Sequence, residues 1–489
     1  MGTVIDNEKT KEKCQIFTPD NIVNSMLDYL EYTNDLYGKK VLENSCGDGQ
    51  FLKEIVRRYI SDCRSRNIPE DKIAEGLSAD IYGIELDANH CAACIENLNE
   101  IARNFEIFDV AWKIFNRDAL REPVEEKFDF IVGNPPYVSY WDMDKSERDF
   151  IKANYSACKF GVCDYSYAFI QDGLSRLTNL GKMVYIVPNS IFKTKSGQKL
   201  RVLLKENLVE IYDYAATKVF ENVLTSPAII VINCERSNEM LRYCNMSNGV
   251  KVEISKASLG ELWVFAKKTK KSDSSETKKL RRFGDYFSVS TSVATQYNKA
   301  FVLSGWSDDG QCVSNGTEEI ERLAVRKAAS PKGMKRRKCE YIIFPYRYHS
   351  SGGNVIITHY IPKEYMRIFP KAYSYLYSHK GDLEKRDADK NSEWFEYGRS
   401  QALTHLNVKK LLLSTIVTGK TLVYELDEDT VPYSGLFITE KEHKKPLSLS
   451  VAKEVLESKA FYEYIQVIGV NASGQSVRIT SKNICDYCW

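Results

Sequence analysis

The sequence lacks any long apolar run. No stretch approaches the ~20 apolar residues that a membrane-spanning helix needs, and the segment Met1 to Lys13 is polar and charged, without the apolar core of a signal peptide. A surplus of charge is missing too, because 68 basic residues face 66 acidic ones. We therefore expect a cytoplasmic protein without a membrane anchor. The net charge neither indicates nor excludes binding to nucleic acid.

Closely spaced metal ligands are also scarce. The 13 cysteines are scattered over 489 residues, and the close pairs are Cys91/Cys94 and Cys485/Cys488. A zinc site built from such pairs is conceivable. However, Cys91 and Cys94 lie one helical turn apart in a segment that should pack on a sheet, so we expect buried free thiols and no metal site.

The first half of the chain alternates short apolar runs with helical patterns, which predicts an α/β fold with a mostly parallel, Rossmann-like, doubly wound sheet. Such sheets bind ligands at the carboxyl ends of their strands. The predicted strands are Lys40–Glu43, Ile81–Leu86, Trp112–Phe115, Phe128–Val132, Met183–Val187, Val209–Tyr214 and Ala228–Asn233. The predicted helices include Phe51–Arg66, Ala88–Phe105 and Tyr165–Leu180.

A charged run without periodicity, from Lys267 to Arg282, separates this half from a less regular, aromatic-rich one. We therefore predict a catalytic domain over residues 1–245, a connecting segment over 246–281 and an α+β domain over 282–489. In the last of these, the predicted strands are Tyr341–Tyr348, Val355–Tyr360 and Leu411–Thr415, and the predicted closing helix is Val451–Ile468.

Polar groups follow three successive predicted strands. The first strand leads into a glycine-rich turn with Gly47 and Gly49, where the backbone can approach a ligand without a Cβ clash. The second ends at Glu85, whose carboxylate can accept both hydroxyl hydrogens of a ribose. The third is followed by Asp118, where an acid and a backbone N–H can read the edge of an adenine. Each acid taken alone is equally consistent with a solvated loop or a helix cap.

The fourth strand runs directly into Asn134-Pro135-Pro136-Tyr137. Consecutive prolines give a stiff backbone that has carbonyl acceptors and no N–H donors. The Asn134 side-chain oxygen and the Pro135 carbonyl can together accept both hydrogens of an exocyclic amine, which directs its lone pair outward. Tyr137 can stack on the flat ring that carries the amine. We predict that these four residues are catalytic.

These motifs stand in the order found in the gamma class of S-adenosylmethionine-dependent DNA adenine-N6 methyltransferases, which residues 16–234 resemble. Asn44 stands where the family usually has proline. The resemblance implies that a Phe-Thr-Pro element closes over the cofactor, that the glycine-rich loop flanks its methionine part, and that two acids hold its ribose and adenine. The cofactor-binding residues are then Phe17, Thr18, Pro19, Glu43, Asn44, Cys46, Gly47, Gly49, Glu85, Leu86, Asp118 and Ala119. The family often has an aromatic after the fifth strand that packs on the flipped base, and Phe192 is the local candidate.

The second half is similar to the target-recognition domain of this family around Arg282–Phe287, Trp394–Leu403 and Phe461–Ile465. Cations that suit phosphates cluster there: Arg322, Arg326, Lys327, Lys332, Lys335, Arg336, Arg337 and Lys338. The candidate DNA-binding residues are Tyr137, Phe192, Arg337, Arg347, Tyr348, Arg399 and Gln401. A basic run on a solvated surface is an equally ordinary feature for any one of these residues.

The resemblance implies site-specific methyl transfer from S-adenosylmethionine to adenine N6 of a flipped-out base in double-stranded DNA, as in type II restriction-modification systems. Cytosine-C5 transfer is disfavoured, because it needs a nucleophilic cysteine, normally after proline, and no Pro-Cys pair occurs. Cytosine-N4 transfer stays open.

Protein-glutamine or RNA methylation is the main alternative, since such enzymes share the tetrapeptide. Release-factor-type glutamine methyltransferases, however, end soon after the sheet, whereas more than 200 residues follow it here. A non-enzymatic DNA-binding subunit would not need an intact tetrapeptide. We expect a monomer without a fused upstream nuclease, with a separate restriction endonuclease as a conceivable partner.

Overall fold

The computed structural model describes residues 18–215, 217, 219–220, 226–235, 239–265, 280–351, 354–443, 445–473 and 476–489. The chain forms two compact units. Unit 1 spans Met1–Lys271 and Val470–Gln475, and unit 2 spans Ser272–Gly469 and Ser476–Trp489. Within the described ranges, every helix is too short or too polar to cross a bilayer.

Unit 1 is built on a nine-stranded sheet in the order β3-β2-β1-β4-β5-β7-β6-β8-β9. Its strands are β1 (Val41–Glu43), β2 (Ile81–Glu85), β3 (Lys113–Asn116), β4 (Phe128–Gly133), β5 (Leu177–Pro188), β6 (Leu208–Asp213), β7 (Pro227–Asn233), β8 (Met240–Asn245) and β9 (Lys251–Ser255). Strands β1 to β5 pair in parallel, whereas β7 runs antiparallel to both β5 and β6. The strand order reverses between β1 and β4, so a ligand crevice is expected at their carboxyl ends.

Helices cover both faces of this sheet. They are α1 (Asp20–Tyr29), α2 (Gln50–Ser65), α3 (Glu70–Asp80), α4 (Ala88–Asn104), α5 (Lys145–Asn154), α6 (Ser166–Arg176) and α7 (Gln198–Leu204). Alternate residues of β5 point to opposite faces, because Met183 and Tyr185 join one apolar core while Val184 and Ile186 join the other. The predicted doubly wound α/β architecture is therefore confirmed.

Two sequence-based boundaries in unit 1 are wrong. The helix predicted over Tyr165–Leu180 ends at Arg176, because the backbone becomes extended at Leu177, where β5 begins. The segment 246–281 is not a connector throughout, because β9 pairs with β8 and extends the sheet. Trp263 is also fully buried in the core of unit 1.

Unit 2 is an α+β unit of small, mostly antiparallel sheets. Its strands are β10 (Phe287–Thr291), β11 (Val302–Ser304), β12 (Ser307–Asp308), β13 (Cys312–Ser314), β14 (Glu319–Glu321), β15 (Val325–Ala329), β16 (Glu340–Ile343), β17 (Tyr346–Ser351), β18 (Asn354–His359), β19 (Lys410–Leu413), β20 (Ile416–Val417), β21 (Val423–Leu426), β22 (Val431–Pro432) and β23 (Leu436–Glu440), followed by the short strands β24 (Val470–Ser473, grouped with unit 1) and β25 (Ser476–Arg478). Its larger sheets have the orders β10-β23-β19-β21 and β11-β16-β15-β22.

The helices of unit 2 are α8 (Phe283–Tyr286), α9 (Asn298–Phe301), α10 (Pro331–Lys335), α11 (Pro362–Ile368), α12 (Pro370–Ser378), α13 (Lys380–Leu383), α14 (Leu449–Glu457), α15 (Lys459–Ile468) and α16 (Ser481–Cys485). The predicted helix Val451–Ile468 is thus two helices, because Ser458 is extended and caps α15 with its hydroxyl. The predicted strand Tyr341–Tyr348 is likewise two strands, β16 and β17, separated at Pro345, which has no N–H to donate.

The two ends of unit 2 pair with each other. The N–H of Arg281 donates to the carbonyl of Trp489, and the N–H of Trp489 donates back to Arg281, both at 3.0 Å. A third backbone bond joins the N–H of Phe283 to the carbonyl of Tyr487 at 2.8 Å. In the larger sheet, β10 pairs with β23 over Phe287–Thr291. The first and last segments of the unit therefore lie side by side.

Candidate active site

The glycine-rich loop connects β1 to α2 in a conformation that favours glycine. Gly47 and Gly49 have φ of +53° and +88°, in the left-handed region that a Cβ disfavours. A Cβ at Gly49 would also lie 2.7 Å from the Cys94 Sγ, whereas a Cβ at Gly47 would meet nothing within 4 Å. Close packing on α4 thus requires glycine at position 49, and the backbone at Gly47 borders open space at the crevice.

The carboxylate of Glu85, at the end of β2, fixes this loop. One oxygen accepts the N–H of Gly47 at 2.8 Å, and the other accepts the N–H of Asp87 at 2.9 Å. Each carboxylate oxygen has a second lone pair. The next residue, Leu86, leaves 59% of its surface exposed. An anchored acid followed by an exposed apolar side chain therefore stands at the carboxyl edge of the sheet.

Two buried polar side chains lie beneath the loop. Glu43 is 2% exposed, and burial, reinforced by the neighbouring Cys94 and Glu85, raises its pKa well above the usual carboxyl value. Asn44 accepts a 2.7 Å hydrogen bond from the Tyr185 hydroxyl on β5. The Glu43 Oε2 and the Asn44 Nδ2 have no hydrogen-bond partner within the described part of the chain. Buried polar atoms of this kind are expected where a polar ligand binds.

Asp118, after β3, is engaged within its own turn. Its Oδ1 accepts the N–H groups of Leu120 and Arg121 at 2.9 and 3.2 Å, and its Oδ2 lies 3.3 Å from the Arg121 Nε. The neighbouring Ala119 is buried. The observed hydrogen bonds make Asp118 a cap of its own turn. That Asp118 and Ala119 contact an adenine stays a prediction.

Three segments of the chain meet at Asn134, and they contact both its side chain and its backbone. Its Nδ2 donates to the Oγ1 of buried Thr18 at 3.2 Å. The Ser45 hydroxyl donates to the Asn134 carbonyl at 3.4 Å. The donation to Thr18 fixes the rotation of the amide, so that its Oδ1 is the acceptor end. Pro19 immediately precedes α1, and Phe17 lies outside the described residues.

Tyr137 stands on the same loop with its hydroxyl buried. The hydroxyl has no partner among the residues that the structure describes, and burial, followed by the charge of Asp164, raises the pKa of the phenol well above its usual value. Burial also raises the pKa of Asp164 to about 6. The loop is fastened at Val138, whose carbonyl accepts the N–H of Tyr165 at 3.0 Å. Residues 164–166 were not foreseen as neighbours of the tetrapeptide.

The prediction for Phe192 is wrong. Its ring is 1% exposed and lies parallel to Trp263, with centroids 6.1 Å apart and planes 13° apart. Phe265 packs edge-on against it. Phe192 is therefore a core residue of unit 1 and has no surface for a flipped base.

The cations of unit 2 divide into two groups. Arg322 is paired with Asp308 at 2.8 Å, and the Arg326 guanidinium lies over the Phe344 ring at 4.1 Å and donates to Asn407. These two arginines hold unit 2 together, which corrects their assignment to phosphates. Lys327 is exposed. The side chains at the end of the run are exposed too, and we name them the exposed basic run: Lys332, Lys335, Arg336, Arg337 and Lys338.

The candidate base contacts of unit 2 are mostly engaged within the protein. Arg347 pairs with Glu364 at 2.6 Å, and the Tyr348 hydroxyl donates to the Leu403 carbonyl at 2.9 Å. Arg399 pairs with Asp387 at 2.8 Å and with Asp389 at 3.4 Å. Gln401 is exposed. Their roles in base recognition stay predictions, and Gln401 is the one whose side chain needs no rearrangement.

No cluster of three or more His, Cys, Asp or Glu side chains that could hold a metal occurs in the described ranges. The cysteines found there are free thiols, and Cys91 and Cys94 are buried in the core between α4 and α2. Sequence reasoning missed the Asn44–Tyr185 bond, for which the sequence carries no signal because the partners lie 141 positions apart.

The sheet order, the antiparallel β7 and the glycine-rich loop at the reversal point define the class of fold: this is a Rossmann-like sheet of the methyltransferase type. Residues 57–220 match the family model described as Eco57I restriction-modification methylase. Over these residues the chain is similar to restriction-modification methylases, in agreement with the resemblance inferred from its motifs.

Curated relatives are similar over part of their length. The type II restriction enzyme and methyltransferase RM.Eco57I of Escherichia coli is 23% identical over 83% of this chain and 49% of its own. The type II methyltransferase M.BstVI of Geobacillus stearothermophilus is 31% identical over 44% of this chain and 41% of its own. The chain therefore spans about half or less of the length of these relatives.

Solved structures share the fold over nearly the whole chain. A DNA complex of the type IIL restriction-modification enzyme MmeI aligns with a TM-score of 0.62 and 12% identity, covering 96% of this chain and 64% of that one. A nuclease-deletion mutant of the type ISP enzyme LlaGI, with a DNA substrate mimic, aligns with a TM-score of 0.55 and 14% identity, covering 96% and 46%. At these identities the likeness concerns the fold.

Proposed function

We propose that this chain transfers a methyl group from S-adenosylmethionine to the N6 amine of an adenine in double-stranded DNA, with unit 1 performing the chemistry and unit 2 selecting the sequence. The observation that carries the proposal is the Asn134 amide, which Thr18 holds at the carboxyl end of β4 beside the glycine-rich loop. The similarity to restriction-modification methyltransferases supports DNA as the substrate.

The polar and apolar groups at the crevice suit the parts of S-adenosylmethionine. The Glu85 carboxylate is already oriented by two backbone N–H groups and retains lone pairs for the two ribose hydroxyls. Exposed Leu86 offers an apolar surface to the adenine ring. The partnerless Glu43 Oε2 and Asn44 Nδ2 suit the polar methionine end. When bound, the cofactor supplies an electrophilic methyl group on its sulfonium sulfur.

The tetrapeptide supplies the complementary chemistry for the amine. The lone pair of an aryl amine is delocalised into the ring, so the amine is a poor nucleophile. Acceptance of both its hydrogens by the Asn134 Oδ1 and the Pro135 carbonyl draws it toward tetrahedral geometry and directs the lone pair outward. With S-adenosylmethionine bound, this lone pair would face the electrophilic methyl group, and the proton that the methylated amine gives up would pass to solvent. Tyr137 holds the ring that carries the amine.

DNA must be deformed for this geometry to be reached, because the amine of a paired adenine is hydrogen-bonded inside the stack. The base therefore leaves the helix and enters the crevice beside Tyr137. Phosphate contacts fall to the exposed basic run and base contacts to unit 2. That the chain acts as a monomer stays a prediction. That it works alongside a separate endonuclease also stays a prediction.

The test compares Asn134→Ala with wild type. Genomic DNA lacking the modification is incubated with tritiated S-adenosylmethionine, digested to nucleosides and analysed by mass spectrometry. We expect the wild-type chain to produce N6-methyladenine. The rate for Asn134→Ala should be lower by at least about 100-fold. Isothermal titration should give a similar cofactor affinity for both proteins. Thr18→Val, which removes the acceptor that orients the amide, should give an intermediate rate.

Other products would redirect the assignment. N4-methylcytosine would retain DNA and the tetrapeptide chemistry but change the base. Incorporation into RNA or into glutamine of a protein, with none into DNA, would overturn the proposal. Near-wild-type turnover of Asn134→Ala would remove Asn134 from the chemistry. Single-molecule sequencing of the modified DNA would then give the recognition sequence.

A further inference from the structure

An exposed tryptophan stands beside the catalytic tetrapeptide and has no part in the chemistry above. Trp141 leaves 72% of its surface exposed, more than the other large aromatic side chains among the described residues. It follows β4, so it lies at the carboxyl edge of the sheet with the cofactor crevice. Single exposed aromatics are common on protein surfaces, so exposure alone does not indicate that Trp141 contacts a ligand.

Several contacts hold the segment that carries Trp141. Its ring meets the Tyr140 ring edge-on with centroids 5.4 Å apart, and the backbone N–H of Trp141 donates to the Ser139 hydroxyl at 3.3 Å. Tyr140 is in turn held from below, because its hydroxyl accepts from the Lys152 Nζ at 2.6 Å and the Arg148 guanidinium lies 5.2 Å from its ring. Two cations of α5 therefore fix the platform on which an uncovered indole stands.

The distance to the active site matches the scale of a DNA strand. Trp141 follows Tyr137 by four residues, so their Cα atoms are at most about 14 Å apart. Bases follow one another along a strand about every 3.4 Å. Trp141 thus reaches the stack within a few base steps of an adenine held by Tyr137. An aromatic ring at this distance can occupy or cover the gap that the extruded base leaves.

We propose that Trp141 stacks on DNA bases next to the target adenine and stabilises its extruded state. The inference rests on the proposed function, since it presupposes an adenine in the crevice. Every base has a flat face, so this contact favours extrusion without contributing to sequence choice. The indole replaces stacking that the neighbouring base loses when the adenine leaves.

Phe108 provides a matched control. It is 61% exposed, but it precedes β3 and so lies at the amino edge of the sheet, opposite the crevice. Phe108→Ala removes an exposed aromatic of unit 1 where no DNA contact is proposed. Trp141→Phe retains a smaller ring at the proposed contact.

The experiment uses short duplexes that contain the sequence methylated by the wild-type chain, with the target adenine opposite either thymine or an abasic site. We expect Trp141→Ala to lower the single-turnover rate on the paired duplex about five- to 150-fold, the range of one base–aromatic stack. On the abasic duplex, where extrusion costs less, its deficit should shrink to about threefold or less. Trp141→Phe should be intermediate, and Phe108→Ala should match wild type on both duplexes.

A second readout follows extrusion directly. With 2-aminopurine in place of the target adenine, the fluorescence rise on binding should be smaller for Trp141→Ala than for wild type. If Trp141→Ala matches Phe108→Ala on the paired duplex, or is equally impaired on both duplexes, the inference fails while the proposed function stands. If the wild-type chain methylates no DNA, the proposed function fails, and the inference falls with it.

Discussion

Replacement of Glu85 distinguishes a residue that binds the cofactor from one that only shapes the loop. The carboxylate accepts the N–H groups of Gly47 and Asp87, so Glu85→Ala removes two charge-assisted bonds within the protein. Each such bond contributes about 1.5–3 kcal/mol, with the lower end appropriate at a partly exposed edge. We expect the free energy of unfolding of the cofactor-free protein to fall by about 3 kcal/mol.

Cofactor affinity should fall by a separate amount. Loss of charge-assisted bonds to the ribose hydroxyls costs about 1.5–3 kcal/mol, which raises the dissociation constant about 12- to 160-fold. Glu85→Gln is the sharper variant, because its single amide oxygen can satisfy one backbone N–H but its NH2 group opposes the other. Isothermal titration gives the affinity, and chemical denaturation gives the stability.

The outcome that contradicts the assignment is specific. If Glu85→Gln and Glu85→Ala destabilise the free protein but bind S-adenosylmethionine with the wild-type dissociation constant, Glu85 orders the loop and does not hold the ribose. Glu122→Ala serves as the control for removing an exposed acid after β3, and it should change neither measurement.

Three further predictions follow from contacts and charges. Gly49→Ala should lower the free energy of unfolding by more than Gly249→Ala does. Both glycines have positive φ, but only a Cβ at position 49 would meet Cys94. The denaturant midpoints of the two variants test this difference. Replacing the exposed basic run with glutamine should weaken binding to specific and random DNA alike. The slope of log binding constant against log salt concentration should become shallower by about one for each phosphate contact that is lost. Fluorescence anisotropy measures both effects. Burial raises the pKa of Asp164 from 3.8 to about 6. The folded chain therefore binds the carboxyl proton of Asp164 more tightly than the unfolded chain does. The protonated carboxyl contributes its full stabilisation of the fold below about pH 4, and this contribution is lost as the pH rises through 6. Asp164→Asn should therefore be more stable than wild type at pH 8, by up to ~3 kcal/mol, with no difference of that kind at pH 4 in denaturation curves.

The sequence predicted seven of the nine strands of the unit 1 sheet and the edge at which the candidate motifs lie, because both depend on local patterns. Buried runs such as Phe128–Val132 identify central strands, and each motif follows the strand that positions it. The contacts that hold the site could not be predicted in this way. Thr18 and Asn134 are 116 positions apart, and Asn44 and Tyr185 are 141 apart, so only the folded sheet brings them together.

Phe192 and the arginines of unit 2 illustrate a second limit. Residue type indicates what a side chain can do but not whether it is exposed. An aromatic residue after the fifth strand can contact a flipped base or pack in a hydrophobic core. Phe192 packs in the core because its ring stacks on Trp263, more than 70 positions later in the chain. Arg322 and Arg326 belong to a basic run by sequence, yet an acid and an aromatic ring from other segments engage them.

The pairing of the two ends of unit 2 has a consequence for the order in which the protein folds during synthesis. The nine-stranded sheet of unit 1 is complete once Ser255 has been made. The bonds between Arg281 and Trp489 cannot form until some 200 further residues have left the ribosome. Because domains fold as units as they emerge, the nine-stranded sheet can form while the residues of unit 2 are still being added. We therefore expect nascent chains stalled before residue 489 to carry a protease-resistant sheet and a protease-sensitive second unit.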